Sequence, residues 1–564
     1  MQNKMTTTKT MPENQKTDAS IPTTKTIFYA FAGLFILNLL LRVFYLRFDF
    51  VNGDEAVRAL TATEWLDGAR LYVDIVTDKP PATTFFYAAV FKFFGRSMDA
   101  IHLAATVWNF FTAIVVFLIA KKIYGVRAAL LSALVFVYFS TNYFTQDMMA
   151  ANTELLMALP YSASFYFFLR AQNSENRRIT LDLFFAGLLT GVAIAFKQIG
   201  VFNLLCFTLT ELWLIYAMRK TRPLIQAILL SSKRLAMIAL GVVVVFACVL
   251  LWLYQAESLG DFWRNVFVVN TFYISSLPGD LWLKFMVGRT LGYIFFNLTL
   301  WALAACTIRR VIKRKDNRKS FQPSFAVNPE GVIGLWALAS WSGAFTGGRF
   351  FGHYFIQMLP ALAILAAGSG EWLIEQVKNP GRKRRALLAT GLLLFFFIIG
   401  LVRMHNRTAI LAYETLTGTR TRLSEAWGMT VRERETAIVA KRLRERLNAG
   451  DRLYIWDYAL DVYWRSGCRP ASRYLQPYYL TGNFTDSNLD VAETNQNFYS
   501  PAHAQFIEDL KRHRPRIILD LSDTFLRLPF REITDFIKTH YERDTEIGVE
   551  PGRPFVVYQL KENF

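Results

Sequence analysis

The chain has 564 residues, of which 53% are hydrophobic and 15% aromatic, and its formal net charge is +19. Several apolar runs reach the ~20 residues needed to cross ~30 Å of hydrocarbon, which excludes an ordinary soluble protein. The positive charge does not indicate nucleic-acid binding, because membrane proteins concentrate Lys and Arg in their cytoplasmic loops. The four cysteines cannot build a disulfide framework, and no zinc or redox motif is present.

The chain begins with a polar tail and continues with apolar runs. Residues 1–25, rich in Thr, Lys and Asn, are predicted to be a disordered cytoplasmic tail. No small-residue cleavage site follows the first apolar run, so it is predicted to be a retained membrane helix. Eleven runs are predicted to span the membrane, at 26–47, 98–120, 126–146, 149–170, 180–198, 201–218, 235–255, 287–308, 331–347, 353–376 and 386–403. A further run at 80–95 is too short to span comfortably and carries Lys92, which predicts an amphipathic helix in the membrane interface.

The basic loops orient these spans, because Lys and Arg accumulate on the cytoplasmic side. With the N-terminus inside, the cytoplasmic loops are KKIYGVR, RAQNSENRR, MRKTRPLIQAILLSSKR, IRRVIKRKDNRK and VKNPGRKRR, all of them basic. The external loops are then 48–97, TQDMM, KQIG, 256–286 and TGGRFFGHY, which hold nearly all the loop acids. The sequence therefore predicts about eleven transmembrane helices with an external C-terminal region.

The composition changes after about residue 404. Residues 431–449 predict a charged amphipathic helix, and PAHAQFIEDLKRHR predicts another. DRLYIW, PRIILDL and PFVVYQL have the composition of strands. Helices that alternate with short apolar strands predict a small α/β domain over 405–564, after a transmembrane domain over 26–404.

Two adjacent acids, Asp54 and Glu55, follow the first span at the start of a predicted short surface helix. They either cap this helix, which stabilises it by ~0.3–1 kcal/mol, or they supply a general base or a metal ligand beside an apolar groove. Arg58, one helical turn later, is assigned to the same pocket. In DKPP, two prolines fix the backbone next to Lys79. That lysine either snorkels at the lipid interface or binds a phosphate as a point charge.

Polar residues also occur at the outer end of the third and fourth spans. Asp147, Asn152 and Glu154 lie there on an otherwise apolar helix start. Ionisable residues within a span are costly and by default functional, which makes this group candidate pocket residues. Lys197 lies at the outer end of the fifth span. A purely structural pair between Glu154 and Lys197 is the alternative interpretation.

The segment GGRFFGHYFIQMLP places Arg349, His353 and Tyr354 at the start of the tenth span. Arginine suits bidentate contact with a phosphate, and the two preceding glycines allow close approach of the backbone. Arg349 and His353 share a face if the segment is helical. A snorkelling arginine with an interfacial tyrosine is the other interpretation.

In this order and spacing, the motifs resemble the GT-C class of integral-membrane glycosyltransferases. The resemblance is to the bacterial branch related to protein O-mannosyltransferases and lipid A aminoarabinose transferases, and it covers residues 26 to about 400. It implies two juxtamembrane helices in the first external loop and a periplasmic α/β tail. It also implies a bacterial inner-membrane location, with a cytoplasmic N-terminus.

The resemblance assigns roles to individual residues. It implies that Asp54 is the catalytic base or helps to activate the acceptor, that Glu55 is the second acidic position, and that Lys79 contacts the carrier phosphate. Some members of the class use a divalent metal and others do not, and Asp54 with Glu55 would be the ligands to consider. No other cofactor is expected.

The predicted function is transfer of a sugar from a polyprenyl-phosphate donor to an external lipid, glycan or protein acceptor. A carboxylate would deprotonate the acceptor, and Lys79, Arg349 and Lys197 would bind the departing phosphate. The alternative is a transporter or flippase of a lipid-linked sugar. Against it, the sequence shows no internal repeat, and the polar residues gather at one face of the membrane. An assembly protein that functions through its tail would not explain the ordered external charges.

Overall fold

A computed structural model describes residues 23–46, 48–143, 145–173, 178–219, 221–313, 327–419, 421, 428–483, 500–521, 524–544 and 556–562. The predicted disordered tail, apart from its last three residues, lies outside this range. So do parts of the predicted basic loops RAQNSENRR, MRKTRPLIQAILLSSKR and IRRVIKRKDNRK.

The first part of the chain is helical. Its helices are α1 Thr24–Leu40, α2 Gly53–Leu66, α3 Ala82–Phe94, α4 Met98–Tyr124, α5 Val126–Phe139, α6 Thr145–Met149, α7 Thr153–Ala171, α8 Ile179–Phe196, α9 Phe202–Met218, α10 Leu224–Gln255, α11 Leu259–Trp263, α12 Val269–Ser275, α13 Gly279–Phe296, α14 Leu298–Lys313, α15 Pro329–Thr346, α16 Leu359–Lys378 and α17 Lys383–Thr417. A π-helical turn, Arg264–Val268, joins α11 to α12, and a 3-10 helix, Gly352–Met358, precedes α16.

Helices occur at all eleven predicted spans. By length and composition, seven helical segments of the described residues are able to cross a membrane, or eight if α13 and α14 form one bent span. The span predicted at 287–308 consists of two helices, because α13 and α14 meet at an angle of 89°. Asn297 lies at the break, where its side chain donates to the Tyr293 carbonyl (2.8 Å) and accepts from Asn142 (3.1 Å). These bonds pair the polar side chain of Asn297 at a bend that lies in an apolar environment.

Residues 48–97, predicted to be the first external loop, contain two helices, α2 and α3. Helix α2 begins where the side chain of Asn52 accepts a hydrogen bond from the Glu55 amide at 3.3 Å, which is an N-cap. Helix α3 follows two prolines and ends after 13 residues at Gly95, which has a φ of +86°. It corresponds to the run at 80–95, whose predicted helical structure is confirmed.

Close packing of small residues joins the membrane helices α8 and α10. A Cβ atom added at Gly187 would lie 1.9 Å from the Ile238 carbonyl oxygen, and one at Gly241 would lie 2.3 Å from the Phe184 carbonyl oxygen. The two backbones therefore touch, as small residues allow between helices in lipid.

The C-terminal region forms a five-stranded sheet with helices. The strands are β1 Arg452–Trp456, β2 Arg469–Pro470, β3 Ile517–Asp520, β4 Tyr541–Asp544 and β5 Val556–Leu560, in the order β2-β1-β3-β5-β4. Strands β2, β1 and β3 are parallel, whereas β5 is antiparallel to both β3 and β4. The helices are α18 Gly428–Arg446, α19 Asp461–Ser466, α20 Tyr478–Thr481, α21 Ser500–His513 and α22 Arg531–His540.

The three predicted strands correspond to β1, β3 and β5, and the two predicted helices to α18 and α21. Strand β2 was missed because it has only two residues, and β4 because its sequence YERD is charged. Helix α17 continues to Thr417, past the predicted domain boundary at 404.

The sheet domain packs directly on the first external loop. Arg469 forms two hydrogen bonds with the Glu64 carboxylate, at 2.9 and 2.6 Å. The Val76 amide donates to the Arg473 carbonyl at 3.0 Å, and Arg465 pairs with Asp49 at 3.0 Å. The domain is therefore held against the loop that carries Lys79.

Candidate active site

A cavity of 330 Å³ lies between the first external loop, α12, the start of the 352–358 turn and the C-terminal domain. Its lining includes these predicted site residues: Asp54, Arg58, Lys79, Asp147, Lys197, Arg349, His353 and Tyr354. The sequence motifs that lie far apart along the chain are thus brought together around one space. Glu55, Asn152 and Glu154 do not line it.

Asp54 and Glu55 face different surroundings. The Asp54 side chain is 48% exposed, lines the cavity and accepts a hydrogen bond from Arg58 at 3.0 Å. The Glu55 side chain is 0% exposed and accepts from the amides of Val51 (2.7 Å) and Ala151 (2.6 Å). Its oxygens also lie 3.2 Å from His102 Nε2. Consecutive residues of a helix point about 100° apart, so the buried contacts of Glu55 leave Asp54 directed at the cavity.

The electrostatic surroundings keep both carboxylates ionised. Burial raises the pKa of Asp54, but attraction to Arg58, His353 and Lys79 outweighs it, and the pKa lies below its usual value. Burial also raises the pKa of Glu55, and His102 with the two backbone amides more than offsets that effect. Both groups are therefore anionic at neutral pH.

Lys79 is ion-paired with its neighbour Asp78, which also lines the cavity. The Tyr72 hydroxyl donates to the Lys79 carbonyl at 2.9 Å, and the side-chain amide of Asn270 donates to the Asp78 carbonyl at 2.8 Å. Burial lowers the pKa of Lys79. Attraction to Asp78 and Asp54 raises it by more, so the pKa lies above its usual value. The DKPP turn is thus held by side chains on both sides of it.

Lys197 is ion-paired with Glu154, which was the structural alternative considered for these two residues. Glu154 also accepts from the Thr153 hydroxyl at 2.8 Å and lies 3.7 Å from His353 Nε2. The Lys197 ammonium lies over the Tyr354 ring, 4.2 Å from its centroid. Glu154 therefore holds Lys197 and His353 from behind the cavity wall.

Arg349 differs from the other cations of the cavity. Its side chain is 2% exposed, its guanidinium donates to the Ser276 hydroxyl at 3.3 Å, and it lies over the Tyr273 ring at 4.6 Å. Its Nε atom has no hydrogen-bond partner among the described residues. Within that same part of the chain, no carboxylate pairs with it. The following residue, Phe350, has a φ of +51°, which is a strained conformation for a bulky residue.

Asn152 and Asp147 support the other side of the cavity. The Asn152 side-chain oxygen accepts from Arg58 at 2.7 Å, and its amide donates to the Asp147 carbonyl at 3.0 Å. Asn152 therefore positions the arginine that contacts Asp54. Burial raises the pKa of the Asp147 side chain, which lines the cavity.

Several lining residues were not predicted. Asp78 could have been predicted from the sequence, because it precedes Lys79 in the DKPP motif. Tyr273 comes from α12 and its hydroxyl lies 3.2 Å from that of Tyr354. The C-terminal domain contributes Tyr458, Leu460, Gln476 and Tyr478. These last residues follow short strands, and no signal in the sequence indicates that their loops meet the membrane domain.

The residues present do not fit the metal site considered from the sequence. Asp54 pairs with Arg58, while Glu55 is turned away and occupied by His102 and two amides. No group of three or more His, Cys, Asp or Glu side chains in the described range is arranged to hold a metal ion. The two adjacent acids therefore do not act as a joint ligand pair in this arrangement.

The chain has the fold of GT-C class membrane glycosyltransferases, which confirms the resemblance seen in the sequence. ArnT from Cupriavidus metallidurans bound to undecaprenyl phosphate matches with a TM-score of 0.58 and 15% identity, over 95% of this chain and 98% of that chain. Its apo state matches with a TM-score of 0.56 and 16% identity, over the same shares of both chains. The archaeal oligosaccharyltransferase AglB from Archaeoglobus fulgidus, in complex with an inhibitory peptide and a dolichol-phosphate, also matches. Its TM-score is 0.50 and its identity 11%, over 95% of this chain and 74% of that chain.

Part of the sequence also matches a protein family. Residues 78–252 match the family described as dolichyl-phosphate-mannose-protein mannosyltransferase. The match begins at the DKPP turn and ends in α10, and it covers less than half of the chain. Comparison with the sequences of curated proteins finds no match.

Replacing Glu55 should destabilise the fold in a pH-dependent way. We expect Glu55→Gln to cost about 3 kcal/mol at pH 7, because it removes one partner of a buried ion pair. The pKa of Glu55 is lowered in the folded state, so its contribution is complete above the unfolded pKa and is lost as the pH falls through the folded value. The difference from the wild type should therefore shrink below about pH 4.

Thermal unfolding in detergent at pH 7 and at about pH 3 measures this effect. Asp54→Asn is the matched control, because the Asp54 side chain is half exposed and should change the melting temperature little. Equal melting temperatures for Glu55→Gln and the wild type at pH 7 would contradict the buried role of Glu55.

Proposed function

We propose that the protein is a glycosyltransferase that moves a sugar from a polyprenyl-phosphate carrier to an external acceptor. The observation that carries the proposal is that one cavity is lined both by the anionic Asp54 and by the buried Arg349, which pairs with no carboxylate among the described residues. A base for the acceptor and a cation for a leaving phosphate are the two groups that this reaction needs. The fold shared with ArnT bound to undecaprenyl phosphate supports the same conclusion.

Arg349 and Lys79 would bind the donor phosphate. Arg349 has donor capacity that no carboxylate occupies within the described residues, and a phosphate accepts from a guanidinium in bidentate geometry. Lys79 and Lys197 also line the cavity and would add positive charge, although each is partly neutralised by its own acid. An apolar cleft lined by Pro80, Pro81 and residues of α8, α10 and the π-helical turn begins beside Lys79. The isoprenoid tail would run along this apolar surface.

Asp54 would act on the acceptor. As the acceptor oxygen attacks the anomeric carbon, its proton passes to the Asp54 carboxylate. The bond between that carbon and the phosphate oxygen breaks, and the phosphate leaves with the electron pair. The lowered pKa of Asp54 keeps it ionised before the reaction, and Arg58, held by Asn152, fixes its position. Attack from the face opposite the phosphate would invert the configuration of the sugar.

The bend between α13 and α14 is a feature that transporters also show, and it supports keeping the flippase as the rival. The charged residues favour the enzyme, because they converge on one cavity beside the external loop instead of lining a path through the helices.

The first test of the proposal is Asp54→Asn. We expect transfer of label from a radiolabelled polyprenyl-phosphate sugar to envelope components to fall about 100-fold or more, because a general base contributes on that scale. Binding of the donor should stay within about twofold of the wild type. If both proteins bind donors yet leave every sugar on its lipid, the flippase becomes the better account, and a liposome assay of lipid flipping decides it.

Removing the Lys79 charge should weaken donor binding. We expect Lys79→Met to bind undecaprenyl phosphate about tenfold more weakly, because it loses one charge-assisted contact. Native mass spectrometry or a thermal-shift titration with undecaprenyl phosphate measures this affinity. Lys92→Met removes an exposed lysine of α3 outside the cavity and is the matched control. Equal affinities for the two variants would remove Lys79 from the phosphate site.

The basic loops support an orientation with the N-terminus in the cytoplasm and the C-terminal domain outside. The bacterial inner membrane is the location that the family resemblance implies. In a background without native cysteines, we expect a cysteine at Arg222 to be protected from an impermeant maleimide in intact cells. A cysteine at Asn483, beyond α20, should be labelled. The reverse pattern would invert the topology and place the cavity on the cytoplasmic side.

A further inference from the structure

The C-terminal domain forms one wall of the cavity. Tyr458 and Leu460 come from the segment after β1, and Gln476 and Tyr478 come from the segment after β2. These strands are parallel neighbours, so their carboxyl ends lie at the same edge of the sheet. The edge that carries these loops therefore faces the space that Asp54 and Arg349 also line.

The topology of the sheet makes this edge a favourable place for a ligand. The chain passes from β1 outward to β2, and then crosses back over β1 to β3 on its other side. Such a reversal is a topological switch point, and in open α/β sheets ligands bind outside the carboxyl ends of the strands at that point. Here the segments after β1 and β2 line the cavity together with the membrane domain, whereas no described residue after β3 lines it.

The two walls of the cavity differ in charge. The acidic and basic side chains that line it come from the membrane domain and its external loop: Asp54, Arg58, Asp78, Lys79, Asp147, Lys197, Arg349 and His353. The part contributed by the C-terminal domain is neutral, with two tyrosines, one glutamine and one leucine. A neutral, aromatic wall suits a polyhydroxylated ligand, because aromatic faces stack on apolar C–H surfaces and a glutamine amide both donates and accepts hydrogen bonds.

The wall is held in place by its own contacts. After β2, Arg473 binds the Asp509 carboxylate through its backbone amide (2.9 Å) and its guanidinium (2.8 Å), which joins this segment to α21. After β1, the Asp457 side chain accepts from the Ala459 amide at 3.0 Å and fixes the turn around Tyr458. The tyrosines therefore lie on supported segments beside the external loop.

We infer that this wall binds the acceptor, and that the acceptor presents a neutral sugar to Tyr458, Gln476 and Tyr478. The inference rests on the proposed glycosyl transfer and names its acceptor class. The charged wall would hold the donor phosphate, and the neutral wall would hold the sugar whose hydroxyl reaches Asp54.

Saturation-transfer NMR on the full-length protein in detergent, with undecaprenyl phosphate present, tests this inference. The probes are the methyl glycosides of glucose, galactose, mannose and N-acetylglucosamine, with a short Ser-containing peptide for comparison. We expect one or more glycosides to bind, and Tyr458→Ala and Tyr478→Ala to weaken that binding about tenfold each, as the loss of a stacked ring does elsewhere. Tyr458→Phe and Tyr478→Phe should keep most of the affinity.

Tyr413→Ala is the matched control, because it removes an exposed tyrosine of α17 outside the cavity, and it should bind like the wild type. Glycosides that bind the alanine variants and the wild type equally would overturn the inference, as would binding of the peptide alone. The assay needs no sugar transfer. Transfer to a protein fraction without glycoside binding would therefore contradict the acceptor class but agree with the proposed transferase. Glycoside binding without any transfer would contradict only the proposed transferase.

Discussion

The buried carboxylate of Glu55 is the constraint on which the cavity depends. It joins the start of α2 to α4 through His102 and to the segment before α7 through the Ala151 amide. Because a buried carboxylate is costly without hydrogen-bond partners, Glu55 has to keep these contacts. They fix how α2 is rotated about its axis. Asp54, the adjacent residue, is directed at the cavity for that reason. The two acids are neighbours in the sequence because one fixes the helix and the other faces the open space.

Most of the charge around the cavity is arranged in local pairs. Asp54 pairs with Arg58, Asp78 with Lys79, and Glu154 with Lys197. Each pair keeps its cation close to where a phosphate would lie without leaving a strong unbalanced charge beside lipid. Among the described residues, Arg349 is a cation of the cavity without such a pair, and it is stacked on Tyr273 instead. Such an arrangement favours an anionic ligand that completes the contacts of one arginine.

Sequence reasoning identified the helices and most of the charged site, because apolar runs, basic loops and costly intramembrane charges leave clear local signals. It placed Asp54, Lys79 and Arg349 in one site, and the structure brings them to one cavity. It could not assign Glu55 to the interior, because helical periodicity gives the angle between neighbours but not which of them faces the core. The break at Asn297 was missed, since hydropathy alone does not register a bend. The tyrosines of the C-terminal wall depend on long-range packing that no local pattern encodes.

The position of the C-terminal wall has a consequence for the order of events in the cell. Tyr478 lies far along the chain from Asp54, and the cavity is enclosed only when the sheet domain rests on the first external loop through Glu64 and Arg469. A chain still being synthesised has its charged wall in the membrane but no opposite wall. An activated sugar would then meet water instead of an acceptor. Only a chain with its C-terminal domain folded would therefore protect a bound donor from water.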